Sequence, residues 1–124
     1  VNEVGWDGSW YLAAFNDEGR RIGSQQNKEG KVPLNSQTWA ILSGVVPPDR
    51  LSSILEKIDR YLDTPYGPAL FLPSYTKFDP GIGRVAAFCP GTKENAAISL
   101  CNCVTVEFLG RRQFKSLRMA RSHC

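Results

Sequence analysis

Residues 63–91, DTPYGPALFLPSYTKFDPGIGRVAAFCPG, hold five prolines and four glycines. Each proline locks its own φ and removes a backbone donor, so a long helix cannot pass through this stretch. The segment is also too long to be a plain connector, and ordered loops of that length usually carry function.

Upstream, PPDRLSSILEKIDRYL (47–62) is the clearest helix. Pro47 and Pro48 suit its entrance, and Leu51, Ile54, Leu55, Ile58 and Leu62 recur at three-and-four spacing to make one apolar stripe. Before it, GKVPLNSQTWAILSG (30–44) reads as a loop and a short helix. Asn35 is the expected N-cap, Leu34 is placed to staple onto Trp39, and Gly44 to end the helix. The short connection predicts that the two helices pack antiparallel. WYLAAFNDEGRRIGS (10–24) reads as a β-hairpin in which residues 10–15 alternate as a strand, Asn16 to Gly19 turn, and Arg20 to Gly23 return. A second helix pair is expected in ENAAISLCNCVTVEFLG (94–110) and RRQFKSLRMAR (111–121), with the β-branched run Val104 to Val106 working against the first of them. The fold class is mainly α with a β-hairpin. These elements do not close into a familiar small fold, which suggests a piece of something larger.

The chain has 124 residues, 42% hydrophobic and 22% charged, which fits one ordered unit rather than a disordered chain. No apolar run approaches membrane-spanning length, and VNEVGWDGSW lacks the basic and apolar regions of a signal peptide. A cytoplasmic location without membrane partners is therefore the expectation. Net charge is +3, and every charged residue after Glu107 is basic. Without an aromatic platform or a known binding motif, that basic end is read as a solvated helix face and not as a nucleic-acid site. Cys89, Cys101, Cys103 and Cys124 are read as free thiols, because Cys101-x-Cys103 with His123-Cys124 is a poor zinc pattern. Trp6, Trp10 and Trp39 could serve as sugar platforms, but core packing is the expected role for most of them.

GWDGSWYLAAFNDEGRRIGS, KVPLNSQTWAILSG, IDRYLDTPYG, YTKFDPGIGR and PGTKEN follow one another with suitable gaps. Together they resemble the cellobiose/chitobiose phosphorylase family of inverting glycoside phosphorylases, over roughly Gly5 to Ile98. The resemblance implies an incomplete segment of an (α/α)6 barrel, or six-hairpin toroid. Residues 1–124 would form one partial domain, with 1–98 in the barrel and 99–124 a divergent helical tail. It also implies the reaction, reversible phosphorolysis of a β-linked disaccharide to an α-sugar 1-phosphate, with inorganic phosphate as co-substrate and no metal or organic cofactor.

Such chemistry needs a carboxylic acid to protonate the leaving oxygen, and donors to hold the phosphate on the opposite face. The family's general acid lies in a Trp-Asn-Asp-Gly-Met-like motif upstream of the matched region, and its Thr-Gly phosphate loop lies downstream. Neither motif occurs in this chain, so no catalytic residue is assigned and no activity is expected of the chain alone. The resemblance instead implies a sugar-binding strip. Lys93 matches the lysine of the Lys-Glu-Asn motif that binds the acceptor sugar, with Glu94 beside it. Phe88 stands where a tyrosine is common, and Arg84 where some members have a sugar-binding glutamate. Taken without that context, Lys93 and Glu94 would read as a surface ion pair at a helix start. The family continues Lys-Glu-Asn-Gly-Gly-Ile-Phe-Cys-His, whose histidine contacts phosphate. Here that position is Cys101, a weak donor, so no phosphate ligand is assigned and a rearranged tail is expected. A barrel lacking helix pairs exposes apolar faces, which favours a homo-oligomer or a partner chain. The alternative function is a carbohydrate-binding or protein-interaction module, with Tyr66, Tyr75, Lys77, Phe88 and Lys93 retaining contacts to a disaccharide or sugar phosphate.

Overall fold

The structure, a computed structural model, describes residues 1–99. In order along the chain come strands β1 (Ala14–Phe15) and β2 (Arg21–Ile22), helices α1 (Leu34–Ser43) and α2 (Pro48–Tyr61), and a 3-10 turn at Arg84–Ala87. Mainly helical structure with one hairpin is what the pattern predicts. Residues 63–91 contain no α-helix.

The hairpin is shorter than expected. β1 and β2 pair antiparallel with Ala14 opposite Ile22 and Phe15 opposite Arg21. Residues 10–12 do not join it, because Trp10, Tyr11 and Leu12 are all buried in succession, which a pleated strand with one solvated face cannot do. Their polar groups are satisfied elsewhere. The Trp10 indole N–H donates to the Gly23 carbonyl at 2.7 Å. The Gln37 side chain, on α1, accepts from the Tyr11 N–H at 2.9 Å and donates to the Tyr11 carbonyl at 2.7 Å. A side-chain amide thus takes the place of a strand partner. The turn forms as expected. Asn16 Oδ1 accepts from the N–H groups of Glu18 and Arg20, and Gly19 takes φ 78°.

Helix α2 follows the sequence closely. Pro47 caps it, Pro48 opens it, and Leu51, Ile54, Leu55 and Ile58 are buried along one face, with Leu62 buried just beyond. Helix α1 ends at Gly44, whose φ of 74° is the left-handed conformation glycine adopts without strain. Its start differs from expectation. The N-cap is Pro33, with no side-chain cap, and Leu34 is already helical. Nor does Leu34 staple onto Trp39: Leu34 is fully buried and Trp39 is 70% exposed. Trp10 and, in part, Trp6 do pack in the core, but Trp39 does not. One apolar cluster joins Trp10, Tyr11, Val32 and Leu34 to the buried faces of both helices.

The long loop is tied to this core by short backbone links. Lys31 pairs with Leu72, and Ala69 with Ile98. Residues 94–99 therefore run as turns and two isolated bridge positions, Asn95 and Ile98, not as the start of a helix. The remainder of that expected helix pair, Cys101 and the divergent helical tail lie outside the described residues. No helix among the described residues is long and apolar enough to cross a membrane.

Candidate functional site

The four residues expected to form a sugar-binding strip lie around one cleft. Arg84, Val85, Phe88 and Glu94 line a depression of about 310 Å³, and the Lys93 ammonium lies 4.8 Å from the centre of the Phe88 ring. That distance is within the range of a cation–π contact. Lys93 pairs with a ring and stands in a tight turn, so the surface ion pair at a helix start is not what the structure shows.

Two local features build this cleft. The 3-10 turn at Arg84–Ala87 follows Gly83, which takes φ 87°, and delivers Phe88 in extended conformation. Lys93 and Glu94 then occupy the middle of a turn closed by the Asn95 N–H to the Thr92 carbonyl at 2.9 Å. Lys93 itself takes φ 47°, a left-handed conformation rare outside glycine and found where the surroundings over-determine the backbone. Here the over-determining group is Asn95, which is completely buried. Its Oδ1 accepts from the Tyr75 N–H at 2.8 Å, and its Nδ2 donates to the carbonyls of Tyr75 and Phe88 at 2.9 and 2.7 Å. One side chain thus pins the turn to the residue that carries the ring. The only signal of Asn95 in the sequence is its place in the Lys-Glu-Asn motif.

A larger cleft, about 540 Å³, lies between the tip of the hairpin, residues 26–29 and residues 75–82. Tyr75 and Lys77, named above as carbohydrate contacts in the alternative function, line it, whereas Tyr66 and Phe88 are not among its walls. Its polar groups are largely committed to each other. Arg20 pairs with Asp79 at 2.7 Å, and Glu29 accepts from the N–H and hydroxyl of Thr76 at 3.2 and 2.6 Å. The Arg20 guanidinium, together with the N–H of Gly81, holds the Asp79 carboxyl below the usual carboxylate range. Burial pushes the Tyr75 phenol up. Lys93, Phe88 and Arg84 take no part in this cleft. Residues separated by as much as 59 positions meet there, which no local sequence pattern announces. Among the described residues no group of three or more histidine, cysteine, aspartate and glutamate side chains is placed to hold a metal ion, and Cys89 is a free, exposed thiol.

Known proteins are similar in sequence to this chain. The glycosyl hydrolase 94 superfamily, catalytic domain, matches residues 1–108. Solabiose phosphorylase from Paenibacillus borealis is 50% identical over 95 residues, which is 77% of this chain and 12% of that protein. Cellobionic acid phosphorylase from Neurospora crassa is 42% identical over 98 residues, covering 79% of this chain and 12% of the relative. N,N'-diacetylchitobiose phosphorylase from Vibrio proteolyticus is 39% identical over 95 residues, covering 75% and 12%. The chain therefore spans about an eighth of the length of these relatives. It belongs to the glycosyl hydrolase 94 superfamily, as a segment of the cellobiose/chitobiose phosphorylase type matching that family's catalytic domain.

Proposed function

We propose that this chain carries the acceptor-sugar wall of a disaccharide phosphorylase, and that the complete catalytic domain transfers a glycosyl group from a β-linked disaccharide to inorganic phosphate. The observation that carries this reading is the convergence of Arg84, Phe88 and Glu94 on one cleft with Lys93 over the Phe88 ring. These residue types suit a sugar. An ammonium donates to several hydroxyls, a carboxylate accepts from them, and an aromatic ring offers an apolar face to the C–H side of a pyranose. In the complete protein the (α/α)6 barrel would supply the general acid and the phosphate ligands from segments that this chain lacks. Phosphate is the co-substrate, and no organic cofactor or metal is called for. Turnover would need those further segments of the catalytic domain to complete the pocket.

Arg84 adds a cation at the edge of the cleft. Two relatives bear the names of phosphorylases for acidic sugars, a β-D-glucuronide and cellobionic acid, so an anionic acceptor is a natural partner for Arg84. The test is ligand-observed NMR of the 124-residue chain with glucose, glucuronate and cellobiose. Saturation transfer to sugar protons that weakens at least about fivefold in Lys93→Ala is the expected result, since a hydrogen bond to a charged group is worth about 1.5–3 kcal/mol. Arg84→Ala should weaken glucuronate and leave glucose unchanged. Equal transfer in the native chain and Lys93→Ala would sink the reading.

A further inference from the structure

Two buried side-chain amides make the same set of bonds at different places in the fold. Gln37 and Asn95 are each completely buried. The Gln37 amide spans the N–H and carbonyl of Tyr11 and donates once more, to the Pro33 carbonyl at 2.9 Å. The Asn95 amide spans the N–H and carbonyl of Tyr75 and donates once more, to the Phe88 carbonyl. Each uses its acceptor and both of its donors, so neither is free to turn. What they hold differs. Gln37 fastens Tyr11, a member of the apolar core, whereas no residue of 88–95 belongs to that core. Residues 89–94 are exposed throughout. They are closed into a loop by Thr92, whose N–H and hydroxyl donate to the Cys89 carbonyl at 3.1 and 2.6 Å, and by the Gly91 N–H to the Asn95 carbonyl at 2.8 Å. The Asn95 amide ties that loop to Tyr75, which is buried and packs its ring 5.3 Å from that of Phe71. Lys93 and Ala96, on either side of Glu94 and Asn95, stand at φ 47° and 64°, conformations that relax in a non-glycine residue unless something holds them.

We propose that Asn95 is the positioning residue of the acceptor cleft: it holds Lys93 over the Phe88 ring, and a sugar binds only the form in which the Asn95 amide is bonded to Tyr75. The proposal takes its ligand from the acceptor-wall reading and adds what keeps that wall in shape. Being buried, Asn95 touches no sugar. It acts through the two residues at the ends of its bonds, because its Nδ2 fixes the carbonyl of Phe88 and its own backbone N–H closes the turn that carries Lys93. An exposed lysine left to swing must be ordered when a ligand arrives, whereas one already held over a ring has less freedom to lose. Neither an aspartate nor a leucine could replace the amide, since a carboxylate donates nothing to the two carbonyls and an alkyl chain bonds to none of the three groups.

The test is NMR of the 124-residue chain, with glucose as the probe. The ring current of Phe88 should move the Lys93 ε protons away from the position of an ordinary lysine. In Asn95→Ala that displacement should be lost and glucose should bind about threefold to tenfold more weakly, the cost of ordering one long side chain on binding. The Trp10 indole N–H, which reports the core bond to Gly23, should stay where it is. Gln37→Ala, which removes the same bonds from the core, should leave the Lys93 displacement in place. A displacement that survives Asn95→Ala overturns the proposal, as does one lost equally in Gln37→Ala. Glucose affinity unchanged in Asn95→Ala but weakened in Lys93→Ala overturns the proposal alone. Affinity unchanged in both marks the failure of the acceptor-wall reading and takes the proposal with it. If Asn95→Ala loses the native Trp10 resonance, hydrogen exchange of the native chain decides. The Tyr75 N–H, held by Asn95, should exchange faster than the Tyr11 N–H, held by Gln37, because the loop opens without the core. Glucose at about ten times its dissociation constant should slow the Tyr75 exchange about tenfold, by mass action on the bonded form. Equal rates at the two sites, or a Tyr75 rate that glucose leaves unchanged, overturn the proposal.

Discussion

Single backbone positions in this molecule are set by what a Cβ would meet. Gly30 and Gly44 have nearly the same φ, 71° and 74°, yet their surroundings differ. A Cβ at Gly44 would have nothing within 4 Å, while one at Gly30 would lie 2.1 Å from the Tyr75 hydroxyl oxygen and 2.4 Å from its ring. Tyr75 is buried, so its ring cannot swing aside without leaving the contacts that hold it. Gly44→Ala should therefore cost only the left-handed conformation, about 1–2 kcal/mol. Gly30→Ala carries the same cost plus overpacking of about 1–3 kcal/mol. Urea unfolding of the two variants measures the difference, and equal losses would mean that Tyr75 is not seated against Gly30 in solution. The same conformational logic explains a departure from the family's pattern. Where the resemblance leads one to expect glycine after Lys-Glu-Asn, this chain has Ala96 at φ 64°; the backbone there keeps a glycine-type conformation after the glycine itself has been lost.

Between elements, the hairpin acts as a latch on the long loop. Arg20, next to the turn, reaches Asp79, and Asn16 Nδ2 donates to the Gly81 carbonyl at 3.5 Å. Because the Arg20 hydrogen bond lowers the Asp79 pKa, the latch contributes fully above the ordinary carboxylate value and is lost as pH falls through the lowered one. A carboxyl titration by NMR should place Asp79 below its usual range in the native chain and return it toward that range in Arg20→Ala. An Asp79 midpoint that does not move would show that the two elements are not joined in solution. This level also shows what sequence could and could not convey. The apolar stripe of α2, the helix-ending Gly44 and the turn at Asn16 to Gly19 were legible because each rests on neighbours a few residues apart. The shortened hairpin and the exposed Trp39 were not, because a buried amide from Gln37 replaced the strand partner of Tyr11 and because α1 carries apolar residues on two faces. The residues proposed to hold the acceptor sugar were legible only through the motif. Their joining by Asn95 depends on a contact with Tyr75 across 20 positions.

Among the described residues, the proposed acceptor wall has no opposite side of a reaction chamber facing it. Phosphorolysis with inversion requires a proton donor at the leaving oxygen and phosphate on the far face of the same sugar, both held while water is excluded. The proposed acceptor cleft offers Arg84, Lys93 and Glu94 as exposed groups, which can contact hydroxyls without enclosing a sugar. The larger cleft spends Arg20, Asp79 and Glu29 on internal bonds, and the carboxyl there whose pKa departs from the ordinary value, Asp79, moves down, the wrong direction for a general acid. The chain incubated alone with phosphate and cellobiose, solabiose or diacetylchitobiose should therefore release no sugar 1-phosphate, even at sugar concentrations that give clear saturation transfer by NMR. Product that disappears in Lys93→Ala would place a complete catalytic set within this chain and refute the wall reading. Binding without turnover is the result the geometry calls for, because recognition of one sugar needs only a surface, whereas transfer of a glycosyl group needs both of its faces held at once.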